Sequence, residues 1–419
     1  MSFFSKKQKQ DLVPPHEETS RVVKSLYPLQ SHKSISLGGV VIGLEAFSGD
    51  AFLFDPWEFY RSGIITSPAI FIAGQVGRGK SAFVKSFLYR QIGVFARQGF
   101  FLDPKGEYSA LAKSLDIPVV KLEPGGSARL NPLDPAPGDL DLPERIAQRR
   151  STLLAALAAS GVGRELNPSE RAGIDVVVEN LPHDAVLGDV VDLLLRPTVA
   201  MAESLSIDLP ALKRECQDIA LALRRLIKGD LAGMLDGKTT IEIDWSGPGL
   251  VIDLSALYRI PAALAPTMIC ATSWISSAIA TVGLGKFLVI DEAWAVLKDE
   301  TVSWLQSTVK LSRSLGVSVV MVVHRISDLR AAGDDDSAVA KRAAGLLSDT
   351  EVRILFGQSA QEIPLAQAAL GLSSRECQLL GELPRGRCLW QIGQKRALVD
   401  VLLTDQEKKL TDTDSAMRG

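Results

Sequence analysis

Short apolar runs that stop at glycine or at an acid, separated by stretches of helical periodicity, organise most of this chain. Pro68 to Ala73 is such a run, ending at Gly74, and Ala82 to Gln98 then carries Phe83, Phe87, Leu88, Ile92 and Phe95 at helical spacing. Gly99–Asp103 and Val119–Leu122 read as further strands, and the pattern resumes at Leu250–Leu254, Phe287–Ile290 and Val317–Val323. The Phe287–Ile290 run is apolar throughout, as in a parallel-sheet strand buried on both faces. Gly38–Phe54 instead alternates around Ser48-Gly49-Asp50 and predicts a hairpin ahead of the core. Arg387–Ile392 and Ala397–Leu403, joined through Gly393-Gln394-Lys395, predict a closing hairpin.

The middle of the chain changes character. Asn131–Pro143 is rich in proline and aspartate, and Glu144–Asp236 contains no convincing strand. Leu209, Leu212, Cys216, Ile219, Leu223 and Leu226 line one face of a helix there. The pattern predicts an α/β core in two pieces, residues 35–132 and 240–405, with an all-α insertion at 133–239. Residues 1–34 are polar and include Pro14-Pro15, the composition of an adaptable tail. From Thr404 onward, Glu407, Lys408 and Lys409 read as a charged tail, assigned to 406–419.

One segment is long and uncharged enough to span a bilayer, Ile260 to Gly285. It contains Pro261, Pro266 and many small polar residues, and it lies between two predicted strands of one sheet. A crossover helix covering a parallel sheet fits both neighbours, so no integral membrane segment is expected.

The chemistry concentrates at two places. Gly74-Gln75-Val76-Gly77-Arg78-Gly79-Lys80-Ser81 is a complete phosphate-binding loop between a strand and a helix that opens near Ala82. Backbone N–H groups at such a helix start favour phosphate, Lys80 is placed for the outer phosphates, and the Ser81 hydroxyl for Mg²⁺. Downstream, Lys286-Phe287-Leu288-Val289-Ile290-Asp291-Glu292 runs an apolar strand into two acids. The carboxyl edge of an open α/β sheet is where ligands bind. Asp291 there would hold Mg²⁺, and Glu292 would orient and deprotonate an attacking water, which predicts a hydrolase.

Composition narrows the partners. The 419 residues are 46% hydrophobic, ample for large cores. The formal charge is −3, with pI near 5.9, so no global basic field advertises nucleic acid or anionic membrane, although a local basic channel for DNA is compatible. Cys216, Cys270, Cys377 and Cys388 form no short-spaced pair. With His16, His32, His183 and His324 they offer no metal site, and they fit a reducing cytoplasm. No signal peptide is evident.

Four further residues have two readings each. In Asp103-Pro104-Lys105-Gly106-Glu107-Tyr108, which follows the strand after the phosphate loop, Asp103 and Glu107 either approach the Mg²⁺ or belong to a capped turn. His324, at the end of the Val317–Val323 strand, is placed to sense the γ-phosphate or is simply structural. Arg313 is either a finger acting on a neighbouring subunit or an ordinary solvated helix arginine.

Taken together these segments resemble the HerA–FtsK superfamily of ring-shaped motor ATPases. Within it they are most similar to the conjugation or type IV secretion ATPases of the VirB/TraC kind. The resemblance rests on Phe54-Asp55-Pro56-Trp57, the phosphate loop, Asp103 to Tyr108, Leu130-Asn131-Pro132-Leu133 and Val251-Ile252-Asp253-Leu254-Ser255. It continues through Asp291-Glu292-Ala293-Trp294, Ser312-Arg313-Ser314-Leu315-Gly316, Leu370-Gly371-Leu372-Ser373 and Leu383-Pro384-Arg385-Gly386, in family order over about residues 36 to 405. It implies a RecA-like P-loop NTPase core with an all-α insertion, ATP and Mg²⁺ as cofactors, a hexameric ring and ATP sites at subunit interfaces. It also implies roles for Glu107 and, in trans, Arg313, with Gly74 to Ala82 as the nucleotide-binding segment. The expected partners are secretion-channel or conjugation proteins at the inner membrane face, with the chain cytoplasmic or peripheral there.

Two departures stand out: His324 replaces the glutamine usual after the sensor strand, and the large N-terminal domain common in secretion ATPases is not in these residues. Two other functions fit the same residues, a duplex-DNA translocase of this superfamily and a nucleotide-dependent scaffold without turnover. Intact Lys80, Asp291 and Glu292 argue against the scaffold.

Overall fold

The computed structural model describes residues 35–135, 142–229, 231–242, 244–279, 285–293, 306, 309–310, 315–329, 345–347 and 349–411. The N-terminal tail assigned to 1–34 and Arg313 therefore lie outside the described residues.

The chain builds one eleven-stranded sheet. Its opening hairpin is β1 (Val40–Glu45) with β2 (Ala51–Phe54), and α1 (Pro56–Arg61) follows, capped by Asp55, whose carboxylate accepts from the Trp57 and Glu58 N–H groups. Then come β3 (Ile70–Ala73), α2 (Lys80–Phe95), β4 (Gln98–Asp103), α3 (Ser109–Ser114) and β5 (Val119–Lys121). Five helices follow: α4 (Pro143–Val162), α5 (Pro168–Glu179), α6 (Leu187–Leu195), α7 (Val199–Ser204) and α8 (Leu209–Ile227). The sheet resumes with β6 (Gly249–Asp253), crosses over through α9 (Pro261–Ile279), and continues with β7 (Lys286–Ile290), β8 (Val317–Val323) and β9 (Val352–Phe356). Helices α10 (Ile363–Leu370) and α11 (Ser374–Glu382) precede the closing hairpin of β10 (Arg387–Ile392) and β11 (Lys395–Val401), and α12 (Asp405–Thr411) ends the described chain.

The strand order is β2-β1-β11-β10-β9-β3-β8-β7-β4-β6-β5. From β9 to β5 every pairing is parallel, and from β9 to β2 every pairing is antiparallel. The fold is thus a mostly parallel α/β core, extended at one side by an antiparallel ribbon. β3 sits between β8 and β9, with Ala73 opposite Val323 on one side and Leu355 on the other.

Side-chain alternation splits the interior into two cores. Ile70 and Ile72 join Phe54, Phe83, Phe87, Phe287 and Trp390 in an aromatic cluster on the α2 side. Phe71 and Ala73 point to the other side, where Leu264, Met268, Ile269 and Ile275 of α9 meet Leu153, Leu157, Ile219 and Leu223 of the helical segment. At roughly 1.5–3 kcal/mol for each large apolar side chain fully buried, the two faces hold the sheet rigid beneath its loops. Most of α9 is buried and packs on β4 and α4, as a crossover helix should. Among the described residues no helix is long and apolar enough to cross a membrane.

Two elements differ from the sequence expectation. β9 was not anticipated: its run is only five residues and holds Arg353, whose guanidinium bonds the Thr350, Leu347 and Leu370 carbonyls, partners that exist only in the folded chain. The charged tail begins instead as helix α12, because Glu407 is buried and paired with Arg90 of α2.

Candidate active site

The phosphate-loop sequence lies where β3 leaves the sheet. Gly74 is required by close approach: a Cβ there would stand 2.5 Å from the Phe356 Cβ of β9. Gly79, in left-handed backbone at φ 102°, caps α2 without any side-chain hydrogen bond, and the first turn of α2 carries no acid. The opening N–H groups of a sixteen-residue helix therefore lack a side-chain cap, which is the chemistry of an anion site. Neighbouring backbone braces the loop. The Gln75 N–H donates to the Gly357 carbonyl at 3.0 Å, and the Gly386 N–H to the Arg78 carbonyl at 3.0 Å. These braces come from β9 and from the turn before β10.

Lys80 is 3% exposed, and its ammonium donates to the Gly74 carbonyl and, at 3.1 Å, to the Gln75 carbonyl. Burial lowers it to about 8, although Asp291 and Glu292 pull the other way. A desolvated ammonium held, among the described residues, by two neutral carbonyls is well matched to an incoming phosphate. Ser81 follows it at the surface of the same turn, half-buried.

Asp291 and Glu292 lie two strands away, at the end of β7, beyond β8. Asp291 accepts from the Tyr108 hydroxyl at 3.1 Å and from the Glu292 N–H at 2.9 Å. Burial, and next the Glu292 charge, push its carboxyl up to about 6. A carboxylate disfavoured in this way, beside a second one, fits a divalent cation, whose charge would restore the ionised form.

Glu292 is 1% exposed, and its backbone is left-handed at φ 52°. Its Oε1 meets two donors, the Lys105 ammonium and, at 2.5 Å, His324 Nε2. His324 Nε2 also lies 2.9 Å from Lys105 Nζ. The contact to Glu292 places a proton on Nε2, and Nδ1 is buried without a partner among the described residues. Burial would raise Glu292, but the bonds from His324 and Lys105 outweigh it and hold the carboxyl at about 2.

In the loop after β4 Asp103 takes the second of its two readings, a capped turn. Its carboxylate, fully buried, accepts the backbone N–H groups of Lys105 at 3.2 Å, Glu107 at 3.0 Å and Tyr108 at 2.8 Å. Asp103 thus shapes the loop and has its oxygens engaged there. Glu107 pairs with the buried Lys85 of α2 at 3.4 Å. The loop carries Lys105 and Tyr108 to Glu292 and Asp291, two contacts that the sequence pattern did not single out. The only available signal was their place in a segment expected at the same sheet edge. His324 reaches this cluster from the end of β8. Among the described residues no group of three or more His, Cys, Asp or Glu side chains is arranged to hold a metal by itself, so an Mg²⁺ here would need phosphate oxygens and water as co-ligands.

The fold is shared with solved structures. VirB4 of Thermoanaerobacter pseudethanolicus aligns with a TM-score of 0.71 at 20% identity, over 90% of this chain and 100% of that one. The plasmid coupling protein TrwB in complex with the non-hydrolysable ATP analogue ADPNP aligns with a TM-score of 0.61 at 16% identity, over 91% of this chain and 92% of that one. TrwB in complex with ADP and Mg²⁺ gives 0.59 at 16% identity, over 80% and 86%. At such identities the likeness establishes the fold. No family model and no curated protein matches the sequence.

Proposed function

We propose that this chain is an ATP-hydrolysing motor of the HerA–FtsK type that energises substrate transfer or channel assembly in a conjugation-like or type IV secretion system. The observation that carries the reading is the uncapped start of α2 with the buried Lys80 beneath it, facing the Asp291–Glu292 pair across one strand. Its extension from nucleotide hydrolysis to secretion is supported by the fold shared with VirB4 and TrwB over nearly the whole chain.

In this reading Gly74 to Ala82 cradle the phosphates of ATP, and Lys80 exchanges its two carbonyl partners for phosphate oxygens. Ser81 and Asp291 would hold Mg²⁺, which when bound neutralises charge between the outer phosphates. Tyr108 orients Asp291 through its hydroxyl. Glu292 orients the attacking water and takes its proton, Glu107 and His324 act at the rim of the site, and Arg313 serves a neighbouring subunit. The working form is then a ring, with a hexamer as the expected size, recruited to the inner membrane face by channel proteins.

The test is phosphate release from ATP by the purified chain. Mg²⁺-dependent turnover that EDTA abolishes is expected, and nucleotide binding without turnover would favour the scaffold. Duplex DNA added to the same assay separates the translocase, whose stimulation by DNA would fall steeply with salt.

A further inference from the structure

Lys105 occupies a position for which nucleotide binding alone gives no reason. Its ammonium pairs with Glu292 Oε1, lies 2.9 Å from His324 Nε2 and stands 5.6 Å above the centre of the Tyr258 ring. The backbone beneath it is fixed, because Asp103 gathers the N–H groups of Lys105, Glu107 and Tyr108. The carboxylate it holds is almost fully covered, so in this arrangement Glu292 presents little surface to an attacking water.

We propose that Lys105 is a positioning residue that holds Glu292 back from the reaction path, and that turnover requires this carboxylate to part from it. The inference rests on the assignment of water activation to Glu292. Two features make the withdrawn state one of two. Glu292 holds a left-handed backbone that a non-glycine residue disfavours, so the strand end is under strain. Against that strain stand two donors converging on a single oxygen.

The trigger follows from charge. Lys105 Nζ lies 2.9 Å from His324, and Val323, the residue before that histidine, pairs with Ala73 at the start of the phosphate loop that carries Lys80. A phosphate seated on Lys80 therefore lies in the field of Lys105 and competes with Glu292 for it. Arrival of the nucleotide would loosen the ion pair and free the carboxylate, so that water activation follows substrate binding.

The test measures kcat and KM for ATP with Mg²⁺ on the full chain. Lys105→Met, which keeps the stem and removes the charge, is expected to raise kcat about three- to tenfold with KM changed less than about twofold. Lys105→Arg, which keeps the ion pair, is expected to stay near wild type. Unchanged or lower kcat in Lys105→Met overturns the proposal, as does an equal rise in Lys105→Arg. Should Lys105→Met fail to fold, Lys105→Gln supplies the same readout. Glu292→Gln separates the premise: an inactive variant leaves the Lys105 result decisive, whereas near-wild-type turnover removes the water-activating role and overturns both.

Discussion

At the antiparallel side of the sheet, Arg90 meets the buried Glu407 through two hydrogen bonds of 2.6 and 2.7 Å and gives its remaining donors to the Leu402 carbonyl at 2.6 Å and the Val41 carbonyl. At the C-terminal edge of the parallel half, Lys80, Asp291 and Glu292 are buried as deeply, but two of the three carry charge the surroundings disfavour. At Glu407 burial works against the ionised form and Arg90 outweighs it, so the pair ties α2, β1, β11 and α12 together. At the phosphate loop Lys80 has only backbone carbonyls, and Asp291 has a hydroxyl and an amide. Charge at one place is matched in number and direction and serves the fold. At the other it is left short of partners, which is the condition of a site that awaits a charged ligand.

Exchanging residues between these roles tests the contrast. The largest effect is expected from Lys80→Ala, which should cut ATP turnover by about a thousandfold or more and weaken nucleotide binding. It should not lower the melting temperature, because a desolvated cation is removed. A variant that hydrolyses ATP normally would show that the loop cation does not face phosphate.

Arg90→Ala should do the reverse. It strands Glu407 as a buried, unpaired carboxylate, so a loss of about 3 kcal/mol in urea unfolding is expected with kcat per folded molecule unchanged. A stability change below about 1 kcal/mol would mean that the pair is not structural.

The smallest effect concerns Asp291. Its folded-state value is raised to about 6, so the folded chain binds a proton that the unfolded chain has released. The carboxyl therefore costs nothing below its unfolded value and destabilises increasingly as pH rises from about 4 through 6. Asp291→Asn should remove that loss and be more stable than wild type by about 1–3 kcal/mol at pH 8. Glu292, held at about 2, works in the opposite direction, its contribution vanishing as pH falls from about 4.5 toward 2. It leaves the window between pH 5 and 8 to Asp291. Urea unfolding of both proteins at pH 5 and pH 8 decides; equal pH dependence would contradict a buried, unpaired Asp291.

Much of the fold was legible because its central strands are continuous apolar runs, as strands covered on both faces must be. Ile70–Ala73, Phe287–Ile290 and Val317–Val323 lie where the pattern put them. β9 was not legible, since Arg353 breaks its pattern and is satisfied by acceptors that include Leu370 and Gln391, far along the chain. Helix α12 was legible in principle. Thr404 and Glu407 form a reciprocal cap, with the Thr404 N–H donating to Glu407 at 2.7 Å and the Glu407 N–H to the Thr404 hydroxyl at 3.2 Å, and that spacing is a helix-start signature. The run of charge beyond it made the segment look like a solvated tail.

For the candidate site the division runs along the chain. Local sequence determined what a few consecutive residues decide among themselves: a glycine-rich loop between a strand and a helix, two acids at a strand end, and an apolar crossover helix between two strands. Their periodicity and turn chemistry act over a few residues along the chain and are written in order. Only the tertiary structure decided that Lys105 and His324, 219 residues apart, would meet on Glu292. It alone decided that Tyr108 would reach Asp291, and that Asp103 would spend its oxygens on its own loop. Those outcomes depend on which strands become neighbours and which edge they share. A buried charge takes whatever partner that packing supplies, and nothing in the residues adjacent to it names that partner.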